Sequence, residues 1–187
     1  NDVIYAEDSD DLIISNNEIS GVLPARPVDP DTGEVYSHGV CLYDCDGVGL
    51  YQNIINVKAS DVKDNVSYLF AVEVVGDNAV ISDNTIGINE APCTYALLIS
   101  GKNFVIEDNT ISSGNDNDYA YGIYIYGEAS GIVTGNDINI FSSDVAYGIY
   151  ACDWDMDGQD VDYTNNNIFG EAPTIYGMEL LFGEESL

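Results

Sequence analysis

Phe104-Val-Ile106-Glu-Asp-Asn109-Thr-Ile111 sets out one order: apolar, any residue, apolar, two residues, Asn, any residue, Ile. The order recurs at Leu12, Ile14, Asn17 and Ile19, at Val48, Leu50, Asn53 and Ile55, and at Ala79, Ile81, Asn84 and Ile86. It returns at Gly131, Val133, Asn136 and Ile138, and at Val161, Tyr163, Asn166 and Ile168. A second phrase precedes the copies: aromatic, small, apolar, any, apolar. Tyr121-Gly-Ile-Tyr-Ile125, Tyr147-Gly-Ile-Tyr-Ala151, Tyr95-Ala-Leu-Leu-Ile99 and Phe70-Ala-Val-Glu-Val74 carry it. His38-Gly-Val-Cys-Leu42 has His in the aromatic place, Tyr176-Gly-Met-Glu-Leu180 opens a further unit, and Ile4-Tyr5-Ala6 supplies the tail of the first.

Ile19 to Ile168 spans 149 residues in five steps, roughly 30 per unit, which is a solenoid period. Within a unit the apolar residues alternate with period two, and no stretch holds a helical period. One coil of short strands cannot bury its apolar edge alone. Coils stacked about 4.8 Å apart make a continuous core, so seven of them predict a rod about 34 Å tall. The expected fold is all-β, a parallel solenoid of about six to seven coils over residues 1–187.

These phrases resemble the right-handed parallel β-helix repeat family, whose coils carry the same V-x-I-x-x-N-x-I pattern with Asn stacked at a corner. The resemblance runs from Ile4 to Leu180. It implies the fold and leaves function open, since lyases, glycosidases, tailspikes and adhesins share it. Abundant Ile, Asn, Tyr and Asp with scarce Lys is closest in character to adhesin-like surface proteins of methanogenic archaea. That likeness implies a long extracellular repeat chain, and the ragged start at Asn1 with the open unit at Tyr176 leads to the expectation of a segment excised from one.

The ladder positions have a structural reading. Asn tolerates left-handed backbone and its amide can bond the Asn of the next coil. Strict alternation would place His38, Phe70, Tyr95, Tyr121, Tyr147 and Tyr176 on the same side as Val40 and its equivalents, as an aromatic edge of the core. His38, the single histidine, is then a packing residue.

Charge narrows the partners. Four Lys plus Arg stand against 33 Asp plus Glu, a formal net charge of −29. Such a chain cannot neutralise phosphates, which excludes nucleic acid, and it disfavours anionic membranes and polysaccharides. No apolar run is long enough for a spanning helix, so this segment is not expected to insert in a membrane. Cys41, Cys45, Cys93 and Cys152 form no C-x-x-C pair and share no column, so no disulfide is assigned.

Departures from the repeat mark candidate sites. Asp8 and Asp10 follow Ile4 at the offsets at which Asp44 and Asp46 follow Val40. Matching registers would stack these four carboxylates, and Ca²⁺ would turn their repulsion into binding; a solvated acidic turn is the plainer account. Asp153-Trp-Asp155-Met-Asp157-Gly158 has D-x-D-x-D-G spacing and resembles the first half of an EF-hand loop. The likeness implies Ca²⁺ at Asp153, Asp155 and Asp157, with a Gln159 backbone carbonyl and closure by Asp160 or Asp162; an acidic loop without an ion is the competing account. Thr164 at the twelfth place excludes a full EF-hand.

Tyr124, Tyr126, Tyr150 and Trp154 are expected on one exposed face, where they could stack on sugar rings or anchor a protein. Cross-strand pairing that only stiffens the sheet is the competing account. Long connections between Ile19 and Val40 and between Ile55 and Val72 could form a lip on the rod.

The expected function is a rigid spacer and binding surface of an adhesin-like module, with Ca²⁺ as candidate stabiliser, whose partner is a glycan or protein on another cell surface. The alternative is a carbohydrate-active β-helix, glycosidase or lyase, acting on a neutral glycan. Lyases of this fold use Arg or Lys beside calcium. Arg26, Lys58, Lys63 and Lys102 are the only candidates, and none falls in the Asp columns.

Overall fold

The computed structural model describes residues 2–23, 36–59, 68–114, 117–153 and 159–182. The first coil is β1 (Asp2–Glu7), β2 (Ile13–Ser15) and β3 (Glu18–Leu23). The second is β4 (Tyr36–Tyr43), β5 (Gly49–Tyr51) and β6 (Ile54–Ala59). The third is β7 (Tyr68–Val75), β8 (Val80–Ser82) and β9 (Thr85–Asn89). The fourth is β10 (Cys93–Ser100), β11 (Phe104–Glu107) and β12 (Thr110–Ser113). The fifth is β13 (Tyr119–Tyr126), β14 (Ser130–Thr134) and β15 (Asp137–Phe141). The sixth is β16 (Val145–Asp153), β17 (Asp160–Thr164) and β18 (Asn167–Glu171), and β19 (Thr174–Phe182) opens a seventh.

Like strands of successive coils pair in parallel, giving one seven-stranded and two six-stranded sheets. The expected solenoid is therefore the observed one. The long connections expected to form a lip fall largely outside the described residues. Inward positions of all three sheets form one core, including Leu50, Ile55, Val72, Ile81, Leu97, Phe104, Ile106, Ile123 and Ile149, all fully buried. Each layer rests on the next, so the apolar area no single coil could hide is removed from water by its neighbours.

The corner between the second and third sheets carries the Asn ladder. Asn53, Asn84, Asn109 and Asn136 are buried. Each donates its side-chain amide to the Oδ1 of the next ladder Asn, at 3.0, 3.0, 3.0 and 2.9 Å along the series to Asn166. The same Oδ1 accepts the backbone N–H, at 2.9, 3.0, 3.1 and 3.1 Å. The second amide hydrogen reaches back to a carbonyl of the preceding coil: Ile14, Leu50, Ile81 and Ile106 in turn. A buried amide with donors and acceptor all engaged carries little of the usual desolvation penalty.

The left-handed residue of this corner is not the ladder Asn, as expected, but the one before it. Asn16, Gln52, Asp83, Asp108, Gly135 and Asn165 have φ between 52° and 68°. The turn needs one residue with positive φ to aim the next side chain inward. The ladder Asn then keeps an ordinary backbone and spends its amide on its neighbours.

The strands of the seven-stranded sheet bend in mid-course. Pairing is interrupted at Gly39, Ala71, Ala96, Gly122, Gly148 and Gly177, on either side of which the register resumes. At Gly39, Gly122 and Gly148 even a Cβ does not fit: on Gly39 it would lie 2.6 Å from the Ala71 carbonyl oxygen and 2.8 Å from Val57. The bend inserts one residue into the in–out alternation. In β4, Ser37, Val40 and Leu42 point inward and are fully buried, so His38 and Cys41 both point outward.

Candidate functional site

The bend moves the aromatic column from the core edge, where alternation alone would place it, to the outer face of the sheet. His38, Phe70, Tyr95, Tyr121, Tyr147 and Tyr176 form an unbroken stack with centroids 4.9, 4.7, 4.7, 4.7 and 5.0 Å apart. The backbone fixes that spacing, since rings on adjacent parallel strands inherit the coil repeat. Tyr124 and Tyr150 stand three residues on from Tyr121 and Tyr147, past the bend, and meet the column edge to face. Tyr124 contacts Tyr95 and Tyr121 at 5.2 and 5.4 Å, and Tyr150 contacts Tyr121 and Tyr147 at 5.5 and 5.2 Å. Such perpendicular contacts suit the ring quadrupoles.

Tyr124, Tyr126 and Tyr150 thus share the outer face of β13 and β16, half-buried by one another and by the column. The Tyr124 hydroxyl lies 3.2 Å from Cys152 Sγ. Burial raises the Tyr95, Tyr121 and Tyr124 phenols well above the ordinary tyrosine value. Trp154 lies outside the described residues.

A cleft of about 280 Å³ opens on this face, lined by Tyr36, Tyr68, Phe70, Tyr95, Leu98, Tyr124, Tyr126 and the carboxylate of Glu73. Tyr36 and Tyr68 stack at 5.2 Å beside it. Sequence reasoning found Tyr124 and Tyr126 but not the other walls. The small residue in each upstream phrase was the available signal, because a small residue recurring mid-strand marks a bend that flips the residue before it.

At the second-coil end of the column sits a polar cluster. In coil one Asp2 occupies the aromatic position and pairs with His38, and in the neighbouring column Cys41 pairs with Glu73. His38 Nδ1 is 2.9 Å from Asp2 Oδ1, and Nε2 is 2.9 Å from Glu73 Oε2. Cys41 Sγ lies 3.7 Å from the same Glu73 oxygen. Burial alone would lower the His38 pKa; hydrogen bonding and charge from Glu73, then Asp2, outweigh it and hold it above the ordinary value. His38 is a packing residue against Phe70, and it is also the centre of this cluster.

The acidic corner after β1 and β4 keeps one register, with Glu7 beside Tyr43 and the Asp11 amide donating to the Asp46 carbonyl at 2.8 Å. Asp8 and Asp44 have φ of 50° and 51°. They are extra turn residues that the third and fourth coils replace by a single Gly76 or Gly101. The next column is a ladder of its own. Asp10, Asp46 and Asp77 carboxylates accept backbone N–H groups from Asp46, Asp77 and Lys102 of the following coils, at 3.3, 2.7 and 2.7 Å, so Lys102 continues an Asp column in which sequence spacing placed no Lys. Asp44, Asp46 and Asp77 also line a groove of about 380 Å³.

Asp153 is the last residue of β16 and is 4% exposed. Asp155 and Asp157 lie outside the described residues. Asp160 and Asp162 are exposed on β17. The Gln159 side-chain amide donates to the Gly127 and Cys152 carbonyls at 3.2 and 3.0 Å. All four cysteines are thiols.

Stacked parallel coils, an Asn ladder and an inward Ile column define a parallel β-helix. The family described as right handed beta helix region matches residues 1–184, and the chain belongs to it. No curated protein and no solved structure matches the chain.

Proposed function

We propose that the chain is an adhesin-like β-helix module of a cell surface, a rigid spacer that presents one aromatic binding face. The observation that carries this reading is the cleft lined by Tyr36, Tyr68, Phe70, Tyr95, Tyr124 and Tyr126 with Glu73 among them. Its walls are apolar ring surface tipped with phenol hydroxyls. That chemistry suits a neutral glycan, or an aromatic side chain of a partner protein, on another cell surface. The net charge of −29 repels anionic polymers.

The rod is stiff because neighbouring coils are joined by ladders on every side, so the face is held in one shape before a partner arrives and little ordering is needed on binding. A hydrolytic reading has less support here. Two-carboxylate glycoside hydrolysis needs a pair of acids about 5–10 Å apart across the bond, and Glu73 is the one carboxylate among the described residues lining the cleft. Calcium belongs to the proposal as a stabiliser of the corner where Asp8, Asp10, Asp44 and Asp46 stack.

The test is a screen of neutral oligosaccharides by saturation-transfer NMR, with Tyr126→Ala and Tyr36→Ala as controls. Binding that both variants weaken supports the reading. Wild-type binding that neither variant changes, or reducing sugar released during the screen, overturns it.

A further inference from the structure

We infer that His38, Cys41 and Glu73 form a binding site for a borderline-soft divalent cation of the zinc type, with Asp2 orienting the histidine. The imidazole, thiol and carboxylate ligand atoms all lie within 4.8 Å of one another. A tetrahedral zinc with ordinary bond lengths would hold its N and O ligands about 3.3 Å apart and its S and O ligands about 3.6 Å apart. The observed separations are 2.9 Å for His38 Nε2 to Glu73 Oε2 and 3.7 Å for Cys41 Sγ to the same oxygen. These two separations lie within a few tenths of an ångström of the zinc values, and His38 Nε2 and Cys41 Sγ lie within 4.8 Å of each other.

The outer shell has the form such sites use. Asp2 Oδ1 lies 2.9 Å from His38 Nδ1, a carboxylate that fixes the tautomer and leaves Nε2 for the metal. The ring is held against Phe70 at 4.9 Å, and adjacent β-strands rather than loops carry all three ligands. Rigid backbone with a locked rotamer gives a site its precision.

The donor set also chooses the ion. One sulfur and one imidazole nitrogen disfavour Ca²⁺ and Mg²⁺, which take oxygen, and favour zinc, with cobalt as a spectroscopic substitute. Three protein ligands leave a fourth position for water or a ligand hydroxyl. Glu73 also lines the aromatic cleft, so the ion would sit at the cleft's edge. The Nε2 lone pair would bind zinc directly, zinc would take the place of the Cys41 thiol hydrogen, and that proton would go to solvent.

The experiment uses the full chain, stripped with EDTA and dialysed. Co²⁺ is titrated with 5 mM Ca²⁺ present to occupy general acidic surface, a concentration of about fifty times the ~0.1 mM that weak carboxylate sites require. The site predicts one equivalent of cobalt, an intense near-ultraviolet band from cysteinate to metal, and displacement by Zn²⁺. Cys41→Ser should abolish the band, and Glu73→Gln should weaken binding at least tenfold. Asp2→Asn should weaken it by roughly 10- to 100-fold while keeping the band, as expected of an outer-shell partner. Cys93→Ser and Cys45→Ser should change nothing. The inference is overturned if no cysteinate band forms, or if cobalt binding survives Cys41→Ser and Glu73→Gln unchanged. Should His38→Gln fail to fold, Cys41→Ser and Glu73→Gln still decide the outcome, since both keep the ring stack intact.

Discussion

Asn84 is tied to Asn109 twice over: its side-chain amide and its backbone N–H both donate to Asn109 Oδ1, each at 3.0 Å. Asn84 in turn accepts the same pair from Asn53, so every rung of the ladder holds two coils. Removing one rung strands groups above and below it. Asn84→Leu leaves the Asn53 amide and backbone N–H and the Leu50 carbonyl without these partners in a dry interior. Each stranded group costs about 1–3 kcal/mol, so the variant should lose at least 3 kcal/mol in denaturant unfolding. Thr110→Ala, on the exposed side of the neighbouring strand, should stay within about 0.5 kcal/mol. Comparable losses for the two variants would show that the ladder is not what joins the coils.

The buried phenols make the rod sensitive to alkali. Burial raises Tyr95, Tyr121 and Tyr124, and it pushes Tyr163 up to about 12. An acid whose folded pKa exceeds its unfolded value favours the folded state fully only below the unfolded value, about 10 for tyrosine. Stability should therefore fall as pH rises from about 10 towards 12. The share of tyrosinate absorbance that belongs to these phenols should appear late and cooperatively, together with loss of the β-sheet signal. A gradual titration centred near the ordinary tyrosine value, with the sheet intact, would mean the column is open to water.

The repeat was legible because each coil solves the same problem with the same residues. Asn17, Asn53, Asn84, Asn109, Asn136 and Asn166 fall in one column, and the paired Ile fixes which side is inward. Two things were not legible from alternation. The bend at Gly39, Ala71 and Gly122 adds a residue to the period, which turns the aromatic column outward. The cluster of Asp2, His38, Cys41 and Glu73 joins positions far apart in the chain, and only the register between coils brings them together. Both signals were present as positions within the upstream phrase, where Cys41 and Glu73 share one slot and Asp2 precedes Ile4 as His38 precedes Val40.

Gly122 tests the bend directly. A Cβ there would lie 2.5 Å from the Gly148 carbonyl oxygen and 2.6 Å from Ile138. Gly122→Val puts a branched side chain where backbone and core leave no room, and overpacking of this kind costs about 1–3 kcal/mol or more. The outward rings should shift as well, so near-ultraviolet circular dichroism should change beyond what the stability loss explains. A variant as stable as the parent with unchanged tyrosine signals would mean the small column has no steric role.

The acidic corner separates two roles that carboxylates can play. Asp46 accepts the Asp77 amide at 2.7 Å, so it joins coils by itself, and Asp46→Ala should cost about 1 kcal/mol even in EDTA, where no calcium is bound. Asp8 and Asp44 are extra turn residues with left-handed backbone, and Asn tolerates that conformation as well as Asp does. Asp8→Asn with Asp44→Asn therefore removes charge without disturbing the turn. If calcium binds this corner with a Kd of about 0.1 mM, then about 1 mM Ca²⁺ adds roughly 1.4 kcal/mol to the parent. The double variant should lose that increment and should be no less stable than the parent in EDTA, since like charges no longer face each other. Thermal unfolding in calcium and in EDTA, at matched ionic strength, makes the comparison. A calcium shift that survives in the double variant moves the ion away from this corner, and the Asp153, Asp155 and Asp157 loop becomes the place to mutate next.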